Sequence, residues 1–192
     1  LSSLDSEASL DKLQLSSDGG WGSFTFAEPF DTIEQGSAFA SDGTYVYAVR
    51  GNSFPWLWRY DPSVNKWLKL ANAPFPFGIG SDLRFTAGST IYAIFGLYTK
   101  KFAKYDITTN AWTELTDTPD VVGNGGAITY DGTNLYLLRG NNTQDFYRYN
   151  IGLNTWTPLT GSPAAITNGA DLVAGENGYL YAFRGANTLS FY

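Results

Sequence analysis

The stretch YDITTNAWTELTDTP, residues 105–119, has two near copies elsewhere in the chain. YDPSVNKWLKLANAP begins at Tyr60, and YNIGLNTWTPLTGSP begins at Tyr149. In each copy a Tyr precedes a Trp, and the Trp precedes a Pro. Internal repetition at a regular spacing is the sequence signature of a repeat architecture. The chain is therefore predicted to consist of several copies of one structural unit.

Four Gly-led runs show the same period along the whole chain. They begin at Gly36, Gly80, Gly125 and Gly169, so the steps are 44, 45 and 44 residues. Each run is followed by an alternating strand pattern and a third segment, and the first three units then have the Trp-and-Pro segment. Four short strands joined by Gly, Asn and Asp turns, in about 45 residues, are typical of a β-propeller blade.

The fourth unit stops at Tyr192, after its third segment TLSFY, and its Trp-and-Pro segment is missing from the C-terminus. The stretch Gly20 to Pro29, GWGSFTFAEP, matches that segment. The sequence thus predicts an all-β fold, a four-bladed β-propeller of four-stranded antiparallel blades. The N-terminal strand Trp21–Pro29 completes the last blade and closes the ring, which removes an open sheet edge. The Trp residues at the start of these outer strands are expected to pack between blades.

This pattern resembles the Kelch family. The residues that carry the resemblance are the pair Gly125-Gly126, the step Tyr60-Asp61 or Tyr105-Asp106 before a Trp, and one aromatic residue in each second strand (Tyr47, Tyr92, Tyr136 and Tyr181). The resemblance implies a propeller fold and says little about activity, because Kelch-like propellers serve many roles.

The chain also departs from the Kelch pattern. Kelch repeats usually have two glycines after the second strand, whereas Arg50, Arg139, Arg184 and Phe95 take the first of those places here. Kelch propellers usually have five to seven blades, so this chain is either a four-bladed ring or part of a larger one. Units one and three resemble each other, as do units two and four, with 89 residues between equivalent glycines. This even doubling favours the closed four-bladed ring.

Composition excludes several kinds of chemistry. The chain has 192 residues without Cys, His or Met, which excludes Cys nucleophiles, Ser-His-Asp triads and His or Cys metal sites, including galactose-oxidase-like copper chemistry. A net charge of −6 argues against nucleic acid as a partner. No apolar run approaches the length of a membrane span. Because the chain begins at Leu1 without an initiator, it is expected to be processed or a fragment, and loss of a secretory signal peptide indicates an extracellular or cell-surface location.

Repeat position indicates two candidate clusters. Asp82 and Asp171 occupy equivalent places on opposite innermost strands. One hypothesis is that the two carboxylates hold Ca²⁺, share a proton or act in a glycosidase. The alternative is that each accepts hydrogen bonds from turn N–H groups or pairs with a nearby Arg. The second cluster lies at the ends of the second strands and consists of Arg50, Arg139 and Arg184. These arginines either clamp a carboxylate or phosphate together, or each ties its blade to an Asp of a neighbouring blade or to loop carbonyls.

Three further candidates lie outside the repeat pattern. Trp56 and Trp58 break the repeat, and they either stack on a sugar ring, form part of a protein contact or pack beneath a loop. Asn141, in NNT, matches a glycosylation acceptor. Residues 1–19 form an N-terminal arm before the propeller of residues 20–192, and its alternating stretch (Leu10, Leu13 and Leu15) is either a strand that pairs with a neighbouring molecule or a linker.

The function expected from these features is a non-enzymatic extracellular interaction or structural protein with no required cofactor. In its most concrete form it is a self-assembling subunit of a surface fibre or layer, in which the arm contacts the next subunit, because a head-to-tail contact that does not close grows into a filament. The alternative is a propeller module that binds a glycan or a cell-surface protein.

Overall fold

The structure, a computed structural model, describes residues 32–192, and this part of the chain is all β. Within these residues no helix is long and apolar enough to cross a membrane. The predicted closing strand Trp21–Pro29 and the arm with Leu10, Leu13 and Leu15 lie outside the described residues. The strands are β1 Ala38–Ser41, β2 Val46–Val49, β3 Leu57–Asp61, β4 Lys66–Lys69, β5 Asp82–Thr86, β6 Thr90–Ile94, β7 Phe102–Asp106, β8 Ala111–Glu114, β9 Ala127–Tyr130, β10 Asn134–Leu138, β11 Phe146–Asn150, β12 Thr155–Pro158, β13 Asp171–Ala174 and β14 Leu180–Phe183.

The strands form one antiparallel sheet per repeat unit. Three sheets have four strands in chain order, β1-β2-β3-β4, β5-β6-β7-β8 and β9-β10-β11-β12, and the last sheet contains β13 and β14. Each pair of neighbouring strands is joined locally, as the turn between β1 and β2 shows. There the Asp42 carboxylate accepts the N–H groups of Thr44 and Tyr45 at 2.8 and 2.7 Å, and Gly43 has a φ of 88°. Such a turn needs an Asx side chain and a glycine, which the sequence supplies.

The core lies between successive sheets. Leu57 of the first sheet packs in one cluster with Ile91 and Phe95 of the second unit. The remaining clusters combine the second sheet with the third, and the third with the fourth. Buried apolar residues on both faces of a short sheet explain why β6 reads as a nearly continuous apolar run. The sheets therefore stack face to face in chain order.

The outer strands are tied to the preceding unit by Trp side chains. The indole N–H of Trp112 donates to the Ala71 carbonyl at 3.0 Å, and that of Trp156 donates to the Thr116 carbonyl at 3.1 Å. Each acceptor follows the outer strand of the unit before. The predicted packing of these Trp residues between blades is confirmed at these two junctions.

An Asn in the turn between the third and fourth strands makes a second tie at the same junctions. Asn110 has a φ of 53°, and its carbonyl oxygen accepts both the Tyr105 hydroxyl at 2.8 Å and the Ala71 N–H at 2.9 Å. Asn154 repeats the arrangement with Tyr149 and Thr116. The repeated Tyr thus positions an Asn that holds the neighbouring sheet.

The fourth sheet ends earlier than the sequence pattern indicated. Phe191 forms a bridge with Phe183, and Tyr192 exchanges two 2.9 Å backbone hydrogen bonds with Ala182. In the third sheet the same register positions belong to Phe146 and Tyr147, early in β11. The expectation that the unit stops after a complete third segment is therefore wrong. The loop from Gly140 to Phe146 and the loop from Gly185 to Phe191 have equal length. Phe191 and Tyr192 therefore correspond to the first two residues of β11, and the given sequence contains no counterpart of Tyr149 in the fourth unit.

The junction between the last and first units is open among the described residues. A Cβ added to Gly36, Gly80 or Gly125 would overlap backbone of the next unit, but one added to Gly169 would have nothing within 4 Å. The residue three places before each turn glycine shows the same difference. Ile33 is 44% exposed, whereas its equivalents Phe77, Val122 and Ile166 are at most 1% exposed. Three junctions are thus packed, and the fourth is not.

Candidate functional site

Four equivalent turns lead into the innermost strands. Each is closed by one backbone hydrogen bond from the fourth residue to the carbonyl of the first, between 2.8 and 3.1 Å. The third residue is always a glycine with φ between 77° and 82°. A positive φ at this place is typical of a type II turn and explains the requirement for glycine. The turns are Glu34–Ser37, Gly78–Ser81, Gly123–Gly126 and Thr167–Ala170.

These turns surround a pocket of about 300 Å³. It receives residues from all four units, so it lies where the axis of the repeat meets one end of the sheets. Sequence analysis missed this site, because only the glycines stood out and the residue before each glycine varies. The lining residues are Gln35, Gly36, Ile79, Asn124, Gly125, Asn168 and Gly169. The pocket will be called the axial pocket.

Asp82 lies two residues below the axial pocket on β5. One carboxylate oxygen accepts the Leu83 N–H at 2.8 Å, and the other accepts the Ile128 N–H of β9 at 2.9 Å. Burial raises the pKa of Asp82 to about 6, and the charge of Asp171 acts in the same direction. The Arg84 charge and the two N–H groups partly offset that rise. Asp82 is therefore a buried acid that fastens the second unit to the third.

The Arg84 side chain, on β5, forms hydrogen bonds with two neighbouring units. Its Nε donates to the Ile128 carbonyl at 3.0 Å, and one terminal nitrogen donates to the Leu172 carbonyl at 3.4 Å. Because Leu172 lies on β13, this one side chain joins the innermost strands of three units.

The candidate calcium ligands have hydrogen-bond partners in the structure. Asp171 is exposed, and it accepts the Leu172 N–H at 2.7 Å, as Asp82 does from Leu83. No group of three or more acidic side chains that suits a metal ion occurs within residues 32–192. The geometry favours the hydrogen-bonding alternative for this pair, and the calcium hypothesis stays a prediction.

The three repeated arginines each contact their own unit. Arg139 donates to the Val121 carbonyl at 2.8 Å and pairs with Asp145 and Asp120. Arg184 donates to the Ala165 carbonyl at 3.0 Å. Arg50 is buried and donates to the Thr32 hydroxyl at 3.0 Å. Each arginine therefore has a local role in holding the loop before its turn.

The residues around Trp56 form a small aromatic and cationic cluster. Trp56 stacks on Phe54 with ring centroids 4.4 Å apart, and the Lys69 ammonium lies 4.8 Å from the Trp56 centroid. The Arg50 guanidinium covers Phe54 at 4.5 Å. Trp58 lies on β3 with its ring 5.9 Å from Lys69. Both Trp residues are half-buried.

Asn141 lies in the loop after β10, beside the axial pocket. It has a φ of 54°, and its N–H donates to the Asn124 carbonyl at 2.8 Å. The side chain is half-buried and would touch a Cβ at Gly123. The structure therefore places this glycosylation candidate in a tight turn between two units.

The comparisons with known proteins support the fold and leave the activity open. No family model matches the sequence, and no curated protein matches it. A solved structure of the protein YjhT is similar with a TM-score of 0.65 and 15% sequence identity, over 84% of this chain. The similar region spans 65% of the YjhT chain, slightly less than two thirds of its length. At this identity the likeness shows a shared fold and nothing about activity.

Proposed function

We propose that this chain is a non-enzymatic extracellular interaction protein, a closed four-bladed Kelch-like propeller whose last blade is completed by the segment Trp21–Pro29. That segment comes either from the same molecule or from a neighbouring copy, and exchange between copies makes the protein a self-assembling subunit of a fibre or layer. The observation that carries the proposal is the open junction between the last and first units.

Apolar residues at this junction are exposed where their equivalents are buried. Phe183 at the end of β14 is 58% exposed, while Ile94 and Leu138 at the same place are 0% and 3% exposed. Phe191 is 57% exposed, whereas its equivalent Phe102 is fully buried. Exposed aromatic residues beside an unpaired strand edge favour the addition of another strand. A completing strand therefore has an apolar surface to cover.

The register of the complete sheets predicts how this strand pairs. In the third sheet Tyr149 pairs with Trp156, and Tyr147 pairs with Pro158. If Trp21 takes the place of Trp156, Ser23 lies opposite Tyr192. The distance from Trp21 to Pro29 is eight residues, one more than in the other units, and a β-bulge absorbs one extra residue of this kind.

The assembly proposal adds the N-terminal arm to this junction. A strand that leaves one ring and completes another forms a head-to-tail contact, and such contacts grow into filaments. Negative-stain microscopy of the purified full chain tests it. Regular fibres that disappear when residues 1–19 are deleted support the proposal, whereas a monodisperse monomer at high concentration with the arm intact contradicts it.

A second candidate function is a glycan- or protein-binding module, and the cluster around Trp56 favours it. Two half-buried Trp side chains beside the Lys69 ammonium combine aromatic surface with a hydrogen-bond donor, a combination that suits a polar ring. A glycan array probed with the full chain tests this function. Signals that are lost in Trp56→Ala and Trp58→Ala, and kept in the exposed control Thr113→Ala, support it; signals equal in all variants remove it.

A further inference from the structure

Each of the four turns around the axial pocket has a peptide group with a fixed orientation. The carbonyl of the second turn residue accepts a hydrogen bond from a backbone N–H in the loop that follows the second strand of the same unit. Carbonyl and N–H of one trans peptide point in opposite directions. The N–H of the turn glycine therefore points away from that loop. The pairs are Asn52 N to Gln35 O at 3.2 Å, Leu97 N to Ile79 O at 2.9 Å, Asn141 N to Asn124 O at 2.8 Å and Ala186 N to Asn168 O at 3.0 Å.

These four glycine N–H groups have no acceptor among residues 32–192. They belong to Gly36, Gly80, Gly125 and Gly169. Backbone N–H groups are strong donors, and nearly all that leave bulk water find a partner. A concave set of backbone N–H groups is a recurrent way to bind an anion. Gly36, Gly125 and Gly169 line the axial pocket, and Gly80 directly follows Ile79, which also lines it, so the four donors lie around this pocket.

We propose that the axial pocket binds a small carboxylate ligand, whose oxygens accept hydrogen bonds from these four glycine N–H groups. The side-chain amides of Gln35, Asn124 and Asn168 line the same pocket and supply further donors. Among residues 32–192, the lining contains no acidic residue. The volume of about 300 Å³ is at the small end for ligand pockets and suits a compact molecule.

Other ligand classes fit this pocket less well. A cation would face the positive ends of the four N–H groups. A wholly apolar ligand would leave those donors and the amides without partners. The positive charge of Arg84 acts on Asp82 and lowers the pKa of that carboxyl, against the rise caused by burial. Asp171 is the remaining carboxylate on this axis, and its exposure lets solvent screen it.

Binding is tested on the uniformly ¹⁵N-labelled full chain by amide chemical-shift titration. The probes are sodium acetate and sodium glucuronate, with glucose and equimolar sodium chloride as controls. We expect the four glycine amides to shift with saturation for at least one carboxylate. Acetate alone indicates a site for small organic acids, and tighter binding of glucuronate indicates an acidic sugar. Shifts of equal size in chloride, or no saturable shift of these amides with either carboxylate, would overturn the proposal.

Variants at the second turn position test the same site. Ile79→Trp places a large side chain in the pocket, and we expect the saturable shifts to vanish. The double variant Asn124→Ala/Asn168→Ala removes two amide donors and is expected to raise the dissociation constant about tenfold. Thr113→Ala, on the exposed face of β8, is the matched control and is expected to bind like the parent chain. If Ile79→Trp does not fold, the double variant alone decides, and an unchanged dissociation constant there contradicts the proposal.

This inference is independent of self-assembly. A monomer that binds carboxylate contradicts only the fibre proposal, and a fibre that does not bind carboxylate contradicts only the axial site.

Discussion

Asn110→Ala tests whether the repeated Asn holds adjacent sheets together. The substitution removes the acceptor of two hydrogen bonds, from the Tyr105 hydroxyl and from the Ala71 N–H of the preceding unit. Because Asn110 is exposed, each bond is taken at about 0.5 kcal/mol, the low end of the usual range. Alanine at a φ of 53° adds about 1 kcal/mol of backbone strain. The expected loss in the free energy of unfolding is about 2 kcal/mol.

The measurement is urea denaturation of the full chain, supported by thermal melting. A loss of about 2 kcal/mol corresponds to a melting temperature lower by about 6 °C for a domain of this size. Asn110→Gly removes the side chain without the strain, so its loss is expected to be about 1 kcal/mol smaller. Asn110→Asp keeps the acceptor and is expected to lose least.

The double variant Asn110→Ala/Tyr105→Phe tests the hydrogen bond from the Tyr105 hydroxyl to the Asn110 side chain. Asn110→Ala and Tyr105→Phe are expected to lose less together than the sum of their separate losses, because they remove the same bond. Asn154→Ala provides an independent repetition at the next junction. A loss below about 0.5 kcal/mol for both Ala variants, or equal losses for Asn110→Ala and Asn110→Gly, would refute the reasoning.

The other predictions concern the axis, the turns and a buried phenol. The folded pKa of Asp82, about 6, exceeds its unfolded value of 3.8, so the free energy of unfolding contributed by the protonated carboxyl is lost as pH rises from 4 through 6. Asp82→Asn should remove about 3 kcal/mol of this pH dependence. A pH profile of unfolding identical to that of the parent chain would contradict this. Gly80 and Gly88 both have a positive φ, but only a Cβ at Gly80 would overlap the backbone of a neighbouring unit. In chemical denaturation, Gly80→Ala should therefore lower the free energy of unfolding by at least about 2 kcal/mol more than Gly88→Ala does. Equal losses for the two variants would contradict a packed junction. Burial raises the pKa of Tyr105 to about 12, so the stability contributed by its neutral phenol is complete below pH 10 and is lost as pH rises through 12. Absorbance titration of the parent chain and of Tyr105→Phe should therefore show the same number of phenols ionising near pH 10, with one additional phenol near pH 12 in the parent chain alone. An additional phenol near pH 10 in the parent chain would contradict the burial.

The repeat period in the sequence was sufficient to predict the sheets. Gly, Asn and Asp at fixed places define turns, and the alternating segments between them form the second and third strands of each unit. The Trp pattern also indicated the contacts between units, since a large aromatic with one N–H donor suits a junction of this kind. These features are local, so one sequence expresses them directly.

The features that the sequence did not reveal depend on contacts between units. The role of Asn110 requires knowledge of where the Ala71 N–H lies, 39 residues away. The end of the fourth sheet was misplaced because TLSFY ends in Tyr, as the third segment does, while the loop length before it fixes a different register. The axial pocket is built from backbone N–H groups, which leave no trace in side-chain patterns except the glycines that permit the turn.

The most direct test of the closed ring is a disulfide between Ser23→Cys and Tyr192→Cys in a chain that has no native cysteine. If the segment Trp21–Pro29 takes the outer-strand position, as proposed, the register of the third sheet, in which Tyr147 pairs with Pro158, would set position 23 opposite Tyr192, and directly opposed residues of an antiparallel pair suit a disulfide. Ser16→Cys with Tyr192→Cys, and each single variant, serve as controls. After mild oxidation and non-reducing electrophoresis, the account predicts rapid and nearly complete cross-linking of the Ser23 pair, within one chain for a self-closed ring and between chains for an exchanged strand. Cross-linking no faster than in the Ser16 control would contradict it.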